Sequence, residues 1–293
     1  DSTAKKIRFI EALARTGVRK IDCVSFVNPK RVPGMADAEA VVRGIHRVDG
    51  IRYTGLWLNE RGFDRALALP VDLQGALRLT ASETFCKNNT GLTKAETVEE
   101  QRRWLGRYRE EHIPVEVGYV MTAFGCNFEG VVPIESVLDC VRTILELLES
   151  HGDPAPRIYL ADTVGHASPA SIETRIGAVR EAWPDLKLGL HLHDTRGLGI
   201  ANALAAMRLG VDHFDSACAG LGGCPFAGHA GAAGNICTEE LVFLCEELGI
   251  ETDVDLDAMI ECARLAEEIV GHQLPGKLTR GGSLRALRAR AVA

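Results

Sequence analysis

Apolar positions repeat along this chain with two alternating periods. Ile7, Ile10, Leu13 and Ala14 fall on one helical stripe, and Gly17 follows as a stop, so a helix is expected over 4–13. The same reading predicts further helices over 37–48, 60–67, 97–112, 133–150, 169–182, 201–209, 239–248 and 256–270. Between them lie short apolar runs bounded by turn residues, which predict strands over 20–26, 53–58, 76–82, 115–121, 157–161, 187–193 and 213–219. The order of residues 278–293, a basic tail, is left open.

Strands that alternate with helices, without a hairpin signal, imply a parallel sheet covered by helices. Seven such units fit either a doubly wound sheet or a (β/α)8 TIM barrel. A helix at the first residues, with no strand before it, favours an α/β TIM barrel whose first strand precedes Asp1. The expected organisation is one catalytic domain over 1–293, with additional helices from about 254.

Composition narrows the function. With 293 residues, 46% hydrophobic and 25% charged, the chain has the make-up of a soluble globular protein. A net charge of -7 offers no basic footprint, so no nucleic-acid partner is expected. No segment is long and apolar enough to imply a membrane span. The nine cysteines are odd in number and show no C-x-x-C spacing, which favours reduced thiols inside a cell. A cytoplasmic location is expected, with the mitochondrial matrix as the alternative.

The candidate chemistry gathers at the predicted strand ends. In Lys187-Leu188-Gly189-Leu190-His191-Leu192-His193-Asp194, alternation projects His191 and His193 to one face, where they could share a metal or serve as a structural pair. Asp22, Asn59, Ser82, Glu83 and Asp162 also fall within or at the C-terminal ends of strands, the end at which a parallel barrel collects its active site. After the last strand comes a long Gly/Ala-rich segment, 219–235, suited to covering that end as a lid. Cys224 stands within it, between glycines and a proline and off any apolar stripe, so it is the thiol expected to face the site. Neither a P-loop nor a dinucleotide fingerprint is present.

Several motifs together resemble the 3-hydroxy-3-methylglutaryl-CoA lyases of the DRE-TIM metallolyase superfamily. They are Ser25-Phe26-Val27-Asn28-Pro29-Lys30, Ser82-Glu83, Gly118-Tyr119-Val120, Asp162-Thr163-Val164-Gly165, His191-Leu192-His193-Asp194-Thr195, and Gly220-Leu221-Gly222-Gly223-Cys224-Pro225 with Gly234-Asn235. The resemblance implies cleavage of a 3-hydroxyacyl-CoA to acetyl-CoA and a keto acid, with Mg2+ or Mn2+ as cofactor. It implies His191, His193 and Asn235 as metal ligands, and Cys224, His191 and Asp162 as catalytic groups. Ser82, Asn59 and Arg196 would bind substrate, and Asp22 would support the ligands. A homodimer is also implied.

Departures from the family pattern keep other readings open. The family's Arg-Asp-Gly motif, which ends the first strand, is not in this sequence. Arg196 stands where the typical lyase has Tyr, Asp22 where it has Glu, and the segment between Cys224 and Asn235 is longer. A citramalyl-CoA-type lyase, a synthase running the reverse reaction and a barrel that has lost activity are the alternatives.

Overall fold

The computed structural model describes residues 2–30, 32–222 and 234–292. Its elements in chain order are α1 (Ser2–Leu13), β1 (Lys20–Ser25), α2 (Ala38–Gly44), β2 (Arg52–Leu56), α3 (Glu60–Leu67), β3 (Gly75–Thr80), α4 (Glu83–Thr90) and α5 (Lys94–Glu110). There follow β4 (Val115–Met121), α6 (Ile134–Glu149), β5 (Arg157–Ala161), α7 (Pro169–Ala182), β6 (Leu188–His191), α8 (Gly199–Arg208), β7 (Phe214–Asp215), α9 (Thr238–Glu247), α10 (Leu256–Val270), α11 (Leu278–Gly281) and α12 (Arg285–Val292). All seven strands expected from the pattern form, and every strand pair is parallel.

The chain divides into two compact units, Asp1–Leu73 with Cys245–Ala293, and Gln74–Leu244. In the first, β1 and β2 pair in parallel, from Lys20 against Arg52 to Ser25 against Leu56. Phe26, Tyr53 and Phe63 are buried there, and α1 packs on α2 and α10. The turn after α1 depends on Gly17, whose φ is +95° and whose Cβ would lie 2.0 Å from the Asp253 carbonyl oxygen.

In the second unit β3, β4, β5, β6 and β7 lie side by side in chain order. Alternation gives this sheet two different faces. Leu77, Val120, Ile158, Leu160 and Leu190 belong to the large buried cluster shared with the helices, including Ile144, Ile172 and Ile176. The opposite face carries a smaller cluster, Ala76, Val117 and Tyr159 with Tyr119 against it. Past Ala161 the ladder continues, with the Asp162 N–H donating to the His191 carbonyl.

Two expectations are corrected, and a segment to which the pattern assigns no element is filled. Residues 83–91 hold α4, because Ser82 accepts from the Phe85 N–H as N-cap and Gly91, in the left-handed region, ends the helix. The helix expected over 37–48 stops at Gly44, where the chain turns extended at Ile45. A Cβ at Gly44 would lie 2.3 Å from Ile7 Cδ1, so this end of α2 sits close against α1. The last strand pairs only through Phe214 and Asp215. Beyond it, Ala217 bridges instead to Cys237. None of the eight described cysteines is in a disulfide.

Candidate active site

The polar groups of the second unit converge where β4, β5, β6 and β7 end. His191 is the last residue of β6, and His193 follows in an isolated bridge with Asn235. The two imidazoles turn to one side as alternation requires, and their Nε2 atoms stand 3.2 Å apart. Asn235 is brought there by a segment zipped on both sides. Asp194 N–H donates to Gly234 O and Ile236 N–H to Leu192 O, while Ala217 N–H donates to Ile236 O. The Asn235 amide nitrogen donates to Leu221 O at 3.0 Å, so its Oδ1 is the acceptor end of the side chain.

The two histidines differ in their surroundings. His193 is 7% exposed, and burial followed by the neighbouring His191 pushes its pKa down to about 4, with the Thr163 backbone opposing. It is therefore neutral near pH 7. Its Nδ1 makes no well-formed hydrogen bond among the described residues. His191 faces Asp215, with Nδ1 3.1 Å from Oδ2. Tyr119 Oη donates to the same oxygen at 3.0 Å. Tyr119 stacks on Tyr159, their centroids 5.0 Å apart, and meets the His191 ring edge-on at 6.4 Å.

Asp162 lies at the end of β5 and is 1% exposed. Its Oδ1 accepts from the N–H groups of His166 and Ala167, at 2.7 and 3.1 Å. Oδ2 has no hydrogen-bond partner among the described residues. Burial raises its pKa from 3.8 to about 6, against the two N–H donors and the charges of Arg196 and His191. A carboxyl poised near neutrality with one oxygen unpartnered among the described residues is suited to proton exchange. Arg196 is fixed beside it, its Nη1 donating to Val164 O and Gly165 O at 3.1 and 2.8 Å.

The comparisons with known proteins agree over nearly the whole chain. The HMGL-like family model matches residues 2–266. The chain belongs to the HMGL-like family. It is 35% identical to a hydroxymethylglutaryl-CoA lyase of Bacillus subtilis (strain 168), over 94% of this chain and 89% of the relative. It is 37% identical to the mitochondrial hydroxymethylglutaryl-CoA lyase of Gallus gallus, over 88% and 84%. Among solved structures, an HMG-CoA lyase from Acenitobacter baumannii, in complex with coenzyme A and 3-methylmalate, has a TM-score of 0.85 at 40% identity, covering 97% of this chain and 89% of that one. This HMGL-like chain is thus an enzyme of a lyase family, with the α/β TIM-barrel fold expected from its strand–helix pattern.

Within this HMGL-like chain, His191, His193, Asn235, Asp162 and Arg196 come together as described. Ser82 is also in the second unit but is fully buried, its hydroxyl donating to Cys126 Sγ while capping α4. Thr122 Oγ1 takes its N–H, and Thr163 Oγ1 takes that of Thr122, so hydroxyls tie together the ends of β3, β4 and β5. Asp22 and Asn59 belong to the first unit. There Asp22 takes the Thr54 hydroxyl, and Asn59 caps α3 by accepting from Gly62 N–H. Cys224 lies outside the described residues. Asp215 was not singled out from the sequence, and Tyr119 stood there only within the Gly118-Tyr119-Val120 motif, without a role. Only their register could have signalled them, with Asp215 directly opposite His191 and Tyr119 two residues from that level on the same sheet.

Proposed function

We propose that this chain is a metal-dependent carbon–carbon lyase that cleaves 3-hydroxy-3-methylglutaryl-CoA, or a close 3-hydroxyacyl-CoA, to acetyl-CoA and a keto acid, acetoacetate for that substrate. The observation that carries it is the facing Nε2 pair of His191 and His193 beside the buried Asp162, in a chain of this lyase family. No three His, Cys, Asp or Glu side chains among the described residues are arranged to hold a metal ion. The donor set is instead two imidazole nitrogens and one amide oxygen, a set that suits Mn2+ better than Mg2+, which prefers carboxylate and water, so substrate and water oxygens would complete the shell for either ion. His191, His193 and Asn235 would hold the ion. Bound there, it would make the substrate hydroxyl more acidic and orient it with a neighbouring carboxylate or carbonyl oxygen.

The chain's own groups carry the protons. Asp162 Oδ2 accepts the hydroxyl proton, its raised pKa making it a stronger base than an ordinary carboxylate. The electrons of the O–H bond form the new carbonyl as the C2–C3 bond breaks. Those of the C2–C3 bond become the thioester enolate. The Cys224 thiol returns a proton to C2, giving acetyl-CoA, and the keto acid leaves. A thiol with an ordinary pKa of about 8.5 is a usable donor near neutrality.

Arg196 supports a second reading within the same chemistry. It places a guanidinium beside Asp162, and the Acenitobacter baumannii relative is solved with 3-methylmalate, whose hydroxyl and carboxylate share one carbon. A citramalyl-CoA-type substrate, giving acetyl-CoA and pyruvate, has the same arrangement. The test is turnover of purified protein on a panel of 3-hydroxyacyl-CoA esters, with Mg2+ or Mn2+ and with chelator. Metal-dependent release of acetyl-CoA is expected, and the preferred ester chooses between the readings. No turnover on any ester with either metal would sink both. A homodimer in the cytoplasm completes the proposal. The matrix is the alternative location, since relatives are described as cytoplasmic or mitochondrial.

A further inference from the structure

We infer that Asp215 is a positioning residue for the metal site, fixing the tautomer and ring angle of His191 so that its Nε2 lone pair faces the ion. The inference rests on the reading of His191 and His193 as ligands. Asp215 is the second residue of the short strand β7, directly in register with His191 of β6. Its Oδ2 lies 3.1 Å from His191 Nδ1. A carboxylate accepts hydrogen bonds and does not donate them, so in the neutral ring Nδ1 must carry the hydrogen. That leaves Nε2 as the lone-pair nitrogen, the one that faces His193.

The carboxylate is itself held. Tyr119 Oη donates to the same Oδ2 at 3.0 Å. Tyr119 is fixed in turn by its stack on Tyr159 and by the Arg78 guanidinium, 5.6 Å from the ring centroid. Asp215 thus takes two donors on one oxygen, one from the adjacent strand β6 and one from β4. His193 has no equivalent carboxylate, since its Nδ1 lacks a well-formed partner among the described residues. The ligand prepared before the ion arrives is therefore His191. Partners of this kind commonly change metal affinity by about 10–100-fold.

The experiment uses the full chain, with Mn2+ alone as the probe. Binding is followed by calorimetry and by the EPR signal of free Mn2+, and the His191 tautomer is read in metal-free protein by long-range 1H–15N NMR. Asp215→Ala is expected to weaken Mn2+ binding by about 10–100-fold, and to let the tautomer drift from the Nδ1–H form. Asp215→Asn can present its amide oxygen to both donors, so it should restore the tautomer and most of the affinity. A merely structural role would lower the melting temperature without moving the tautomer. Asp215→Ser replaces the Ala variant if that one does not fold. If His191→Ala loses Mn2+ while Asp215→Ala binds like the wild type, the positioning role is overturned and the ligand reading stands. If neither His191→Ala nor His193→Ala affects Mn2+ binding, the ligand reading falls and the inference with it.

Discussion

Asp162 shows how a single buried carboxyl is set for exchange at a cost to the fold. Its pKa rises from 3.8 to about 6 because burial outweighs the two N–H donors that it keeps. The native state therefore holds its proton over a pH range in which the unfolded chain has lost it. Stability linked to this group is fully present below the unfolded value and is lost as pH rises through the folded one. The whole window is worth roughly 3 kcal/mol, with about half falling above pH 5. Asp162→Asn keeps an oxygen for the His166 and Ala167 N–H groups and removes the charge. In urea unfolding with chelator present, the variant should gain on the wild type between pH 5 and pH 8, while turnover falls. A constant difference across that range would contradict the assignment. At this scale the sequence was partly legible. His191, His193 and Asp162 showed themselves as polar residues closing apolar runs. Asp215 and Tyr119 did not, since nothing in their local pattern says that a carboxylate on β7 and a phenol on β4 meet at one oxygen.

The strands carry the site because each helix-facing apolar residue leaves its neighbour to the other face. On β6 this alternation puts Leu188 and Leu190 in the core, and Gly189 and His191 opposite. Gly189 is the necessary gap, since a Cβ there would lie 2.6 to 2.9 Å from three atoms of the Tyr159 ring. Gly189→Ala should displace Tyr159, disturb the stack on Tyr119 and loosen Asp215. A loss of about 1–3 kcal/mol is expected, as for other overpacked sites. Weaker Mn2+ binding should accompany it, and Tyr159→Leu in the same chain should recover stability without recovering the metal. Calorimetric melting and Mn2+ titration of both variants check this. Element periodicity was the legible part, with β4, β5, α3, α7 and α10 lying where the apolar spacing put them. The pattern assigns no element to α4, and its cap at Ser82 is visible only once the hydrogen bond to Phe85 is known. The pairing of residues 234–238 with 192–194 and 217 is long-range, and no local spacing encodes it.

For the whole molecule, metal binding and folding are one equilibrium. Most of the proposed donors are built by the fold: His191 ends β6, while Asn235 reaches His193 only through backbone bonds to two separate segments. The unfolded chain has no such arrangement, so an ion held by these residues binds the native state and stabilises it by mass action. At a free Mn2+ concentration 100 times its dissociation constant the gain is about 2.7 kcal/mol. For a chain of this length that is a rise of several degrees in melting temperature. The rise should grow with the logarithm of Mn2+ concentration above saturation, and it should be reversed by chelator. Ca2+ should give less, because it takes more oxygen ligands than this histidine-rich set offers. His193→Ala should abolish the shift while leaving the metal-free melting temperature close to that of the wild type, since a buried imidazole whose Nδ1 is poorly bonded contributes little to the fold. An Mn2+ shift that survives in His193→Ala would place the ion elsewhere. Loss of the shift together with a large fall in metal-free stability would make His193 a core residue first.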